Sequence, residues 1–186
     1  MEEYQALQHM ESVDATRSSD INSYYMPHHG VIRESSVTKK LRVVFNASQK
    51  TAADTSLNEC LHTGPALQQD LNSVVMKWRN HQFVCNADIE KMYRQIRIHP
   101  EDADLQRIVW RASPSDPMTC YRLTTVMYGT AAAPYLAIRT LQQLAEAEQA
   151  RFPLGAEALR NDFYVDDALF GADDIATAQK DPEAAD

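Results

Sequence analysis

Apolar residues recur at helical spacing in three stretches of the chain. Residues 65–80 carry them three or four positions apart, which places them on one face of an α-helix. Pro65 would stand in the first turn of this helix and Asp70 near its N-terminal end, where the helix dipole favours an acid. The same spacing predicts a long helix over 131–151 and the end of a helix over 2–12.

In shorter stretches, polar and apolar residues alternate or the residues are continuously apolar. These stretches predict strands at 31–33, 40–45, 82–88, 94–98, 106–110 and 119–124. A basic turn would join the first two strands. The stretch that ends at Asp88 is apolar enough to predict a buried strand. Near 163–171 the pattern predicts a hairpin with Asp166 and Asp167 as its two-residue turn. Asp173 would start a final short helix that Pro182 stops. Together these elements predict an α+β fold.

Composition allows one domain of ordinary size or part of a larger one. The chain has 186 residues, 44% of them hydrophobic, which is enough for a packed core. No apolar run reaches the length of a membrane span and the first residues are acidic, so we expect an intracellular, cytoplasmic protein with no membrane partner. The three cysteines are too far apart for a cysteine-based zinc site and are expected to be buried thiols. The five glycines never cluster, which excludes a phosphate-binding P-loop and a dinucleotide fingerprint.

Charge is distributed unevenly along the chain. The formal net charge of -8 argues against a nucleic-acid ligand, because phosphates require a surplus of cations. Residues 24–99, however, hold ten basic against six acidic side chains. The acidic average therefore does not exclude nucleic acid from the middle of the chain.

Carboxylates stand at the ends of two apolar strands. Asp166 and Asp167 alone are ordinary turn residues, but their apolar flanks place them at the edge of a sheet, and Asp88 ends another apolar strand. If these strands are neighbours, the carboxylates converge and repel one another unless they bind protons or divalent cations. Oxygen ligands without His or Cys favour Mg²⁺ or Mn²⁺ over zinc. Two such ions held by shared carboxylates are a known device for phosphoryl transfer.

Four segments then carry a family resemblance. Tyr164–Asp167 resembles the Y-x-D-D hairpin of reverse transcriptases, and Asp88–Tyr93 resembles their first palm motif. Val126–Pro134 resembles the segment that opens their long palm helix, and Lys40–Asn46 resembles a fingers strand. All four follow the family order, and the resemblance covers about residues 2–180. The chain is most similar to the Bel/Pao class of long-terminal-repeat retrotransposons.

The resemblance implies the fingers and palm of a right-hand polymerase, with an antiparallel palm sheet packed on helices and the thumb absent. Residues 1–23 would be a partial helix and polar lead-in, 24–80 mainly fingers, 81–180 palm and 181–186 a tail. The chain would be part of a polyprotein whose partners are a thumb, a ribonuclease H and an integrase.

Site residues follow from the matched motifs. Asp88, Asp166 and Asp167 would be the catalytic carboxylates and would hold two Mg²⁺ or Mn²⁺ ions with the backbone carbonyl of Ile89. Tyr93 would be the aromatic gate that excludes a 2′-hydroxyl. The remaining nucleotide-binding residues would be Arg42, Lys40, Tyr128 and Gly129. Template or primer phosphates would be followed by Lys77, Arg79, Lys91, Arg94 and Arg97.

Two functions from different classes remain open. The first is RNA-directed DNA polymerisation from a primer and deoxynucleotides on an RNA or DNA template. The second is a transposon-derived remnant without catalysis, which acts as a binding or interaction module. Retention of Asp88, Asp166 and Asp167 favours the polymerase.

Overall fold

The structure is a computed structural model that describes residues 1–14, 23–32 and 41–174. These residues fall into two compact units, each built from two stretches of the chain. The first unit holds the described residues of Met1–Thr63 and Tyr93–Ala133, and the second holds Gly64–Met92 and the described residues from Pro134 on. Lys40 and the helix expected after Asp173 and Asp174 lie outside the described part. The assignment of fingers and palm remains a prediction.

Helices and strands are interspersed along the chain. In chain order they are α1 (Glu2–Ala6), β1 (Met10–Val13), β2 (His28–Ile32), β3 (Leu41–Phe45), α2 (Leu57–Cys60), α3 (Leu71–Arg79), β4 (Phe83–Asp88), α4 (Met92–Gln95), a 3₁₀ turn (Ala103–Gln106), β5 (Arg107–Trp110), β6 (Thr119–Leu123), α5 (Ala133–Glu148), α6 (Pro153–Asn161), β7 (Phe163–Tyr164) and β8 (Asp167–Ala172). Every strand pair among them is antiparallel. The predicted mixture of helices and antiparallel sheets is therefore confirmed at the level of fold class.

The first unit is built on two antiparallel sheets. One has the strand order β1-β6-β5, and the other is the β2–β3 pair. Ile108, Leu123 and Met127 are completely buried at the centre of this unit, because apolar side chains of the strands and loops pack from several sides. Met10, Met26, Phe45, Ala47 and Leu57 extend the same core.

The second unit is built on one three-stranded sheet with the order β4-β8-β7. Helices α3 and α6 pack against it. Small side chains lie at the buried positions, among them Ala156 on α6 and Ala168 and Ala172 on β8, so that helix and sheet backbones can approach closely. The described hairpin and its supporting helices thus belong to a single compact unit.

Two helix predictions were only partly right. The helix expected over 2–12 ends at Ala6, because Met10–Val13 pairs as β1 with β6 from Met10↔Leu123 to Val13↔Cys120. The helix expected from Pro65 begins at Leu71, because the Asp70 carboxylate accepts a hydrogen bond from the Ser73 N–H at 2.9 Å and caps it there. The long helix expected over 131–151 is confirmed as α5, and α6 follows it without having been predicted.

Three further predictions were wrong. Residues 94–98 do not form a strand, since Met92–Gln95 is helical and Arg97 makes only an isolated bridge to Thr125. The strand β4 is not buried, because Val84, Asn86 and the last residues face solvent while Phe83 and Cys85 are half-buried. The thiols are not buried either: Cys60 is exposed and Cys85 and Cys120 are half-buried.

In the described residues, no helix is both long and apolar enough to cross a bilayer.

Candidate active site

Two of the predicted catalytic carboxylates face each other across neighbouring strands. Strands β4 and β8 pair in antiparallel register from Phe83↔Ala172 to Asp88↔Asp167. Residues directly opposite in such a pair point to the same face of the sheet, with their Cβ atoms about 5 Å apart. The ladder therefore brings Asp88 and Asp167 together from positions far apart in the sequence.

The turn that carries the third carboxylate differs from the predicted one. Tyr164 pairs with Asp167, so the two turn residues are Val165 and Asp166, and Asp167 is the first residue of β8. The prediction of an Asp166–Asp167 turn was wrong by one position. Both alternatives leave Phe163, Tyr164 and the apolar stretch 168–170 in the strands, and the pairing of Asp167 with Asp88 decides between them.

The backbone of Asp166 is joined to the end of β4. The Ile89 N–H donates a hydrogen bond to the Asp166 carbonyl at 2.9 Å. The Ile89 carbonyl, the expected backbone metal ligand, accepts from the Met92 N–H at 3.1 Å. Because a carbonyl oxygen has two lone pairs, that bond still leaves Ile89 one acceptor site.

The Asp88 carboxyl lies among other acids at this edge of the sheet. Partial burial raises the pKa of the Asp88 carboxyl above its ordinary value, and the negative charges of Asp166, Asp167 and Glu90 raise it further. A raised pKa means that the ionised form is disfavoured until a proton or a cation neutralises it. Desolvation and the neighbouring negative charges thus act in the same direction on Asp88.

The donor set at this edge fits a hard cation in its chemistry. Asp88, Asp166, Asp167 and the Ile89 carbonyl offer only oxygen atoms, which suit Mg²⁺ or Mn²⁺. Within 1–14, 23–32 and 41–174, no three His, Cys, Asp or Glu side chains are grouped so that they could hold a metal ion. Two-ion binding therefore remains a prediction.

Three of the predicted nucleotide-binding residues lie together in the first unit. The rings of Tyr93 and Tyr128 meet edge to face, with centroids 4.6 Å apart and planes at 66°. Tyr128 is 45% exposed, so this aromatic pair presents a face to solvent. Gly129 adopts a φ of 96°, and a Cβ there would lie 2.6 Å from the Phe45 carbonyl oxygen. The backbone conformation and the neighbouring strand thus both require glycine at this position.

Asn58 holds this loop and was missed by the sequence reasoning. Its side-chain amide donates to the Gly129 carbonyl at 2.9 Å and to the Ser48 hydroxyl at 2.8 Å. Its carbonyl oxygen accepts from the Ala131 N–H at 2.8 Å. Its neighbours Leu57 and Glu59 form no pattern that identifies it, and two of its three partners lie more than seventy residues away.

The other predicted cations differ in what they contact. Arg42 is exposed on β3 opposite Val31, and Arg79 and Arg97 are also exposed. Lys77 and Lys91 form ion pairs with acids, Lys77 with Asp162 at 2.5 Å and Lys91 with Glu90.

Arg94 is placed differently from these surface cations. Its side chain is buried, its guanidinium carbon lies 3.9 Å from the centre of the Tyr4 ring, and its Nε donates to His9 at 2.9 Å. Burial separates this charge from any phosphate at the surface, so the guanidinium acts inside the first unit.

A second missed residue contacts the hairpin that carries Asp166 directly. The half-buried Gln68 lies in the segment before α3, and its side-chain amide bonds to both Phe163 and Val165. The sequence places Gln68 almost one hundred residues before the hairpin, so no local pattern could identify this contact.

Comparisons with known proteins were made against families, curated sequences and solved structures. No protein-family model and no curated protein matches the chain. Among solved structures, the chain is similar to the crystal structure of the prototype foamy virus protease–reverse transcriptase, with a TM-score of 0.66 and 15% sequence identity. The match covers 99% of this chain and 20% of that protein, so the chain spans about a fifth of its length. The likeness is one of fold, and it associates the chain with a retroviral-like polymerase fold.

Proposed function

We propose that the chain is the fingers and palm part of an RNA-directed DNA polymerase from a long-terminal-repeat retrotransposon, of the Bel/Pao class. The observation that carries this proposal is the register that sets Asp88 opposite Asp167, one residue after the turn residue Asp166. The reaction would transfer a deoxynucleotide to a primer 3′-hydroxyl and release pyrophosphate. The fold likeness to a reverse transcriptase supports the same family.

The carboxylates would be the metal ligands of this reaction. Asp88 and Asp166 would hold two Mg²⁺ or Mn²⁺ ions, Asp167 would support the site, and the Ile89 carbonyl would be a further ligand. The bound ions would activate the attacking oxygen and stabilise the leaving one. The raised pKa of Asp88 supports this role, because desolvation and the neighbouring acids disfavour its negative charge and a bound cation would offset both.

The aromatic pair of the first unit would bind the nucleotide. Tyr93 would lie against the sugar and exclude a 2′-hydroxyl, while Tyr128 and Gly129 would contact the base and sugar. Their mutual packing at 4.6 Å supports the role, since each ring limits the freedom of the other. Arg42 and Lys40 would contact the triphosphate, for which the planar guanidinium of Arg42 is especially suited.

Template and primer would be held by the exposed Lys77, Arg79 and Arg97, by the half-buried Lys91 and by the rest of a polyprotein. Lys77, Arg79, Lys91 and Arg97 would follow backbone phosphates. Arg94 is not included, because its guanidinium is buried on Tyr4. A thumb, a ribonuclease H and an integrase would be the further parts of the polyprotein.

Single-nucleotide addition tests the proposal. A labelled primer on an RNA template is incubated with the chain, one matching deoxynucleotide and Mg²⁺ or Mn²⁺, and extension by one residue is measured. Addition of one nucleotide is the readout because it does not require the duplex to be held through many cycles, and we expect little processive synthesis. Asp166→Asn should abolish addition, whereas Glu157→Gln, an exposed acid on α6, should not.

Two outcomes would contradict the proposal. One is that the wild-type chain adds no nucleotide with Mg²⁺ and none with Mn²⁺. The other is undiminished addition by Asp166→Asn, which would overturn the assignment of the carboxylates. Absence of addition with both metals would favour the non-catalytic interaction module.

A further inference from the structure

We propose that Gln68 is a positioning residue that fixes the hairpin turn carrying Asp166. This inference rests on the proposed function, because the turn has a catalytic role only if Asp166 is a metal ligand. Gln68 contacts neither substrate nor the carboxylates in this role. It acts through the backbone of Val165 and Phe163.

The side-chain amide of Gln68 bonds to the hairpin through both of its ends. The Val165 N–H donates to Gln68 Oε1 at 3.0 Å, and Gln68 Nε2 donates to the Phe163 carbonyl at 3.3 Å. One bond therefore reaches the first turn residue itself and the other reaches the strand that leads into the turn. Two bonds from one planar amide fix both its orientation and the backbone that it contacts.

The same two backbone groups lie on the free edge of β7. In the order β4-β8-β7, β7 has a partner on one side only, and Tyr164 pairs with Asp167 there. In an antiparallel strand, the carbonyl before and the N–H after such a residue point to the opposite edge. Gln68 thus takes the place that a residue of a further strand would occupy. It supplies hydrogen-bond partners to the Phe163 carbonyl and the Val165 N–H, which would otherwise depend on water.

The turn needs such support because the backbone conformation of Val165 is unfavourable. Val165 has a φ of 59°, a left-handed conformation that a β-branched residue rarely adopts. A positive φ at the first turn position is normally supplied by glycine. A valine there remains only if neighbouring groups hold it, and the Gln68 amide bonds to that residue directly.

The segment that carries Gln68 is anchored on both sides. Before it, Gly64 has a φ of 73°, and a Cβ there would lie 2.4 Å from the Tyr135 ring of α5. After it, Asp70 caps α3 through the Ser73 N–H. The Gln68 amide is therefore presented to the hairpin by a backbone that is itself fixed, which limits the entropy lost in forming the two bonds.

A neighbouring glutamine provides a matched control. The Gln69 amide donates to the Arg160 carbonyl of α6 and does not contact the hairpin. Gln68→Met keeps the length of the side chain and removes both hairpin bonds, and Gln69→Met makes the same chemical change one residue away. Gln68→Glu keeps an acceptor for the Val165 N–H and loses the donor to Phe163.

The test measures hydrogen exchange of the Val165 amide by NMR and Mn²⁺ affinity by electron paramagnetic resonance, both on the complete chain. Gln68→Met should speed Val165 exchange about five- to tenfold, as expected when one hydrogen bond is lost. It should also weaken Mn²⁺ binding several-fold, while the circular dichroism spectrum stays that of the wild type. Gln69→Met should change neither quantity, and Gln68→Glu should restore the slow exchange.

Unchanged Val165 exchange in Gln68→Met would overturn the inference, as would equal effects of Gln68→Met and Gln69→Met. Failure of the proposed function is a separate result, because the wild type would then bind no Mn²⁺. In that case, faster Val165 exchange in Gln68→Met would still support the positioning of the turn, and unchanged exchange would still refute it.

Discussion

Asp88 lies directly opposite Asp167 in the β4–β8 ladder, so two acids of the same charge share one pair position in the sheet. Like charges at opposed positions destabilise a sheet, and opposite charges or cations relieve the cost. The protein keeps this arrangement at the end of β4, beside the turn residue Asp166. A fold that keeps an unfavourable pair is expected to use it, in this proposal for holding divalent cations.

The first prediction concerns stability and pH. Because the folded-state pKa of Asp88 is raised, its contribution to stability is fully present at acidic pH and is lost as pH rises through the folded pKa. Asp88→Asn removes that loss. In urea unfolding, the wild type and Asp88→Asn should therefore have similar free energies of unfolding near pH 3. Towards pH 7 the variant should be more stable than the wild type, by no more than about 1 kcal/mol because solvent screens exposed charges.

Glu157→Gln provides the control for this pH series, because Glu157 is an exposed acid of the same unit. Its free energy of unfolding should follow that of the wild type throughout. A lower stability of Asp88→Asn at neutral pH would show that Asp88 stabilises the fold. It would refute the claim that the charge of Asp88 destabilises the folded state.

The second prediction concerns Gly129. Gly129→Ala forces a side chain into a left-handed φ of 96° and to within 2.6 Å of a backbone carbonyl, so it should cost about 2 kcal/mol or more. Gly30→Ala is the control, because its Cβ would meet only the end of the Leu41 side chain. Thermal unfolding measures both. Equal melting temperatures for the two variants would show that the Gly129 loop can yield.

The third prediction concerns Asn58. Asn58→Ala removes bonds to the Gly129 carbonyl and the Ala131 N–H, and we expect a loss of about 1–2 kcal/mol in urea unfolding. Asn58→Asp keeps the acceptor for Ala131 and should lose less at low pH, where the new carboxyl is protonated and can donate. Asn72→Ala, at an exposed position of α3, should change the free energy of unfolding by less than about 0.5 kcal/mol. An Asn58→Ala effect as small as that of Asn72→Ala would contradict the role.

The fourth prediction concerns sugar selection by Tyr93. Tyr93→Ala should increase the ratio of ribonucleotide to deoxynucleotide addition by roughly tenfold or more, because the ring that excludes the 2′-hydroxyl is removed. Tyr93→Phe keeps the ring beside Tyr128 and should preserve the selectivity. Single-nucleotide addition with each substrate measures the ratio. An unchanged ratio in Tyr93→Ala would remove the gate role.

Local sequence predicted those helices and strands whose apolar spacing is visible within the element itself. The helical spacing of 131–151 is long enough to identify α5, and the alternation of 119–124 identifies β6. The motif residues Asp88, Asp166 and Asp167 could also be named from sequence, because apolar strands frame them. The structure places Asp88 and Asp167 opposite each other on one sheet of the second unit and Asp166 in the turn beside them.

Long-range contacts explain the parts that sequence did not predict. Met10–Val13 continues a helical pattern, but pairing with β6 makes it a strand. The hairpin register could not be fixed locally, because shifting the turn by one residue still leaves Phe163, Tyr164 and residues 168–170 in the two strands. The contacts that identify Gln68 and Asn58, to Val165 and to Gly129, reach more than seventy residues along the chain.

Metal binding by the carboxylates tests the central claim most directly. Electron paramagnetic resonance titration of the wild-type chain with Mn²⁺ should show binding that Mg²⁺ competes away. Asp88→Asn and Asp166→Asn should each weaken that binding at least tenfold, and Glu157→Gln should leave it unchanged. Equal Mn²⁺ affinity in the wild type, Asp88→Asn and Asp166→Asn would contradict the account, because the ion would then be held elsewhere.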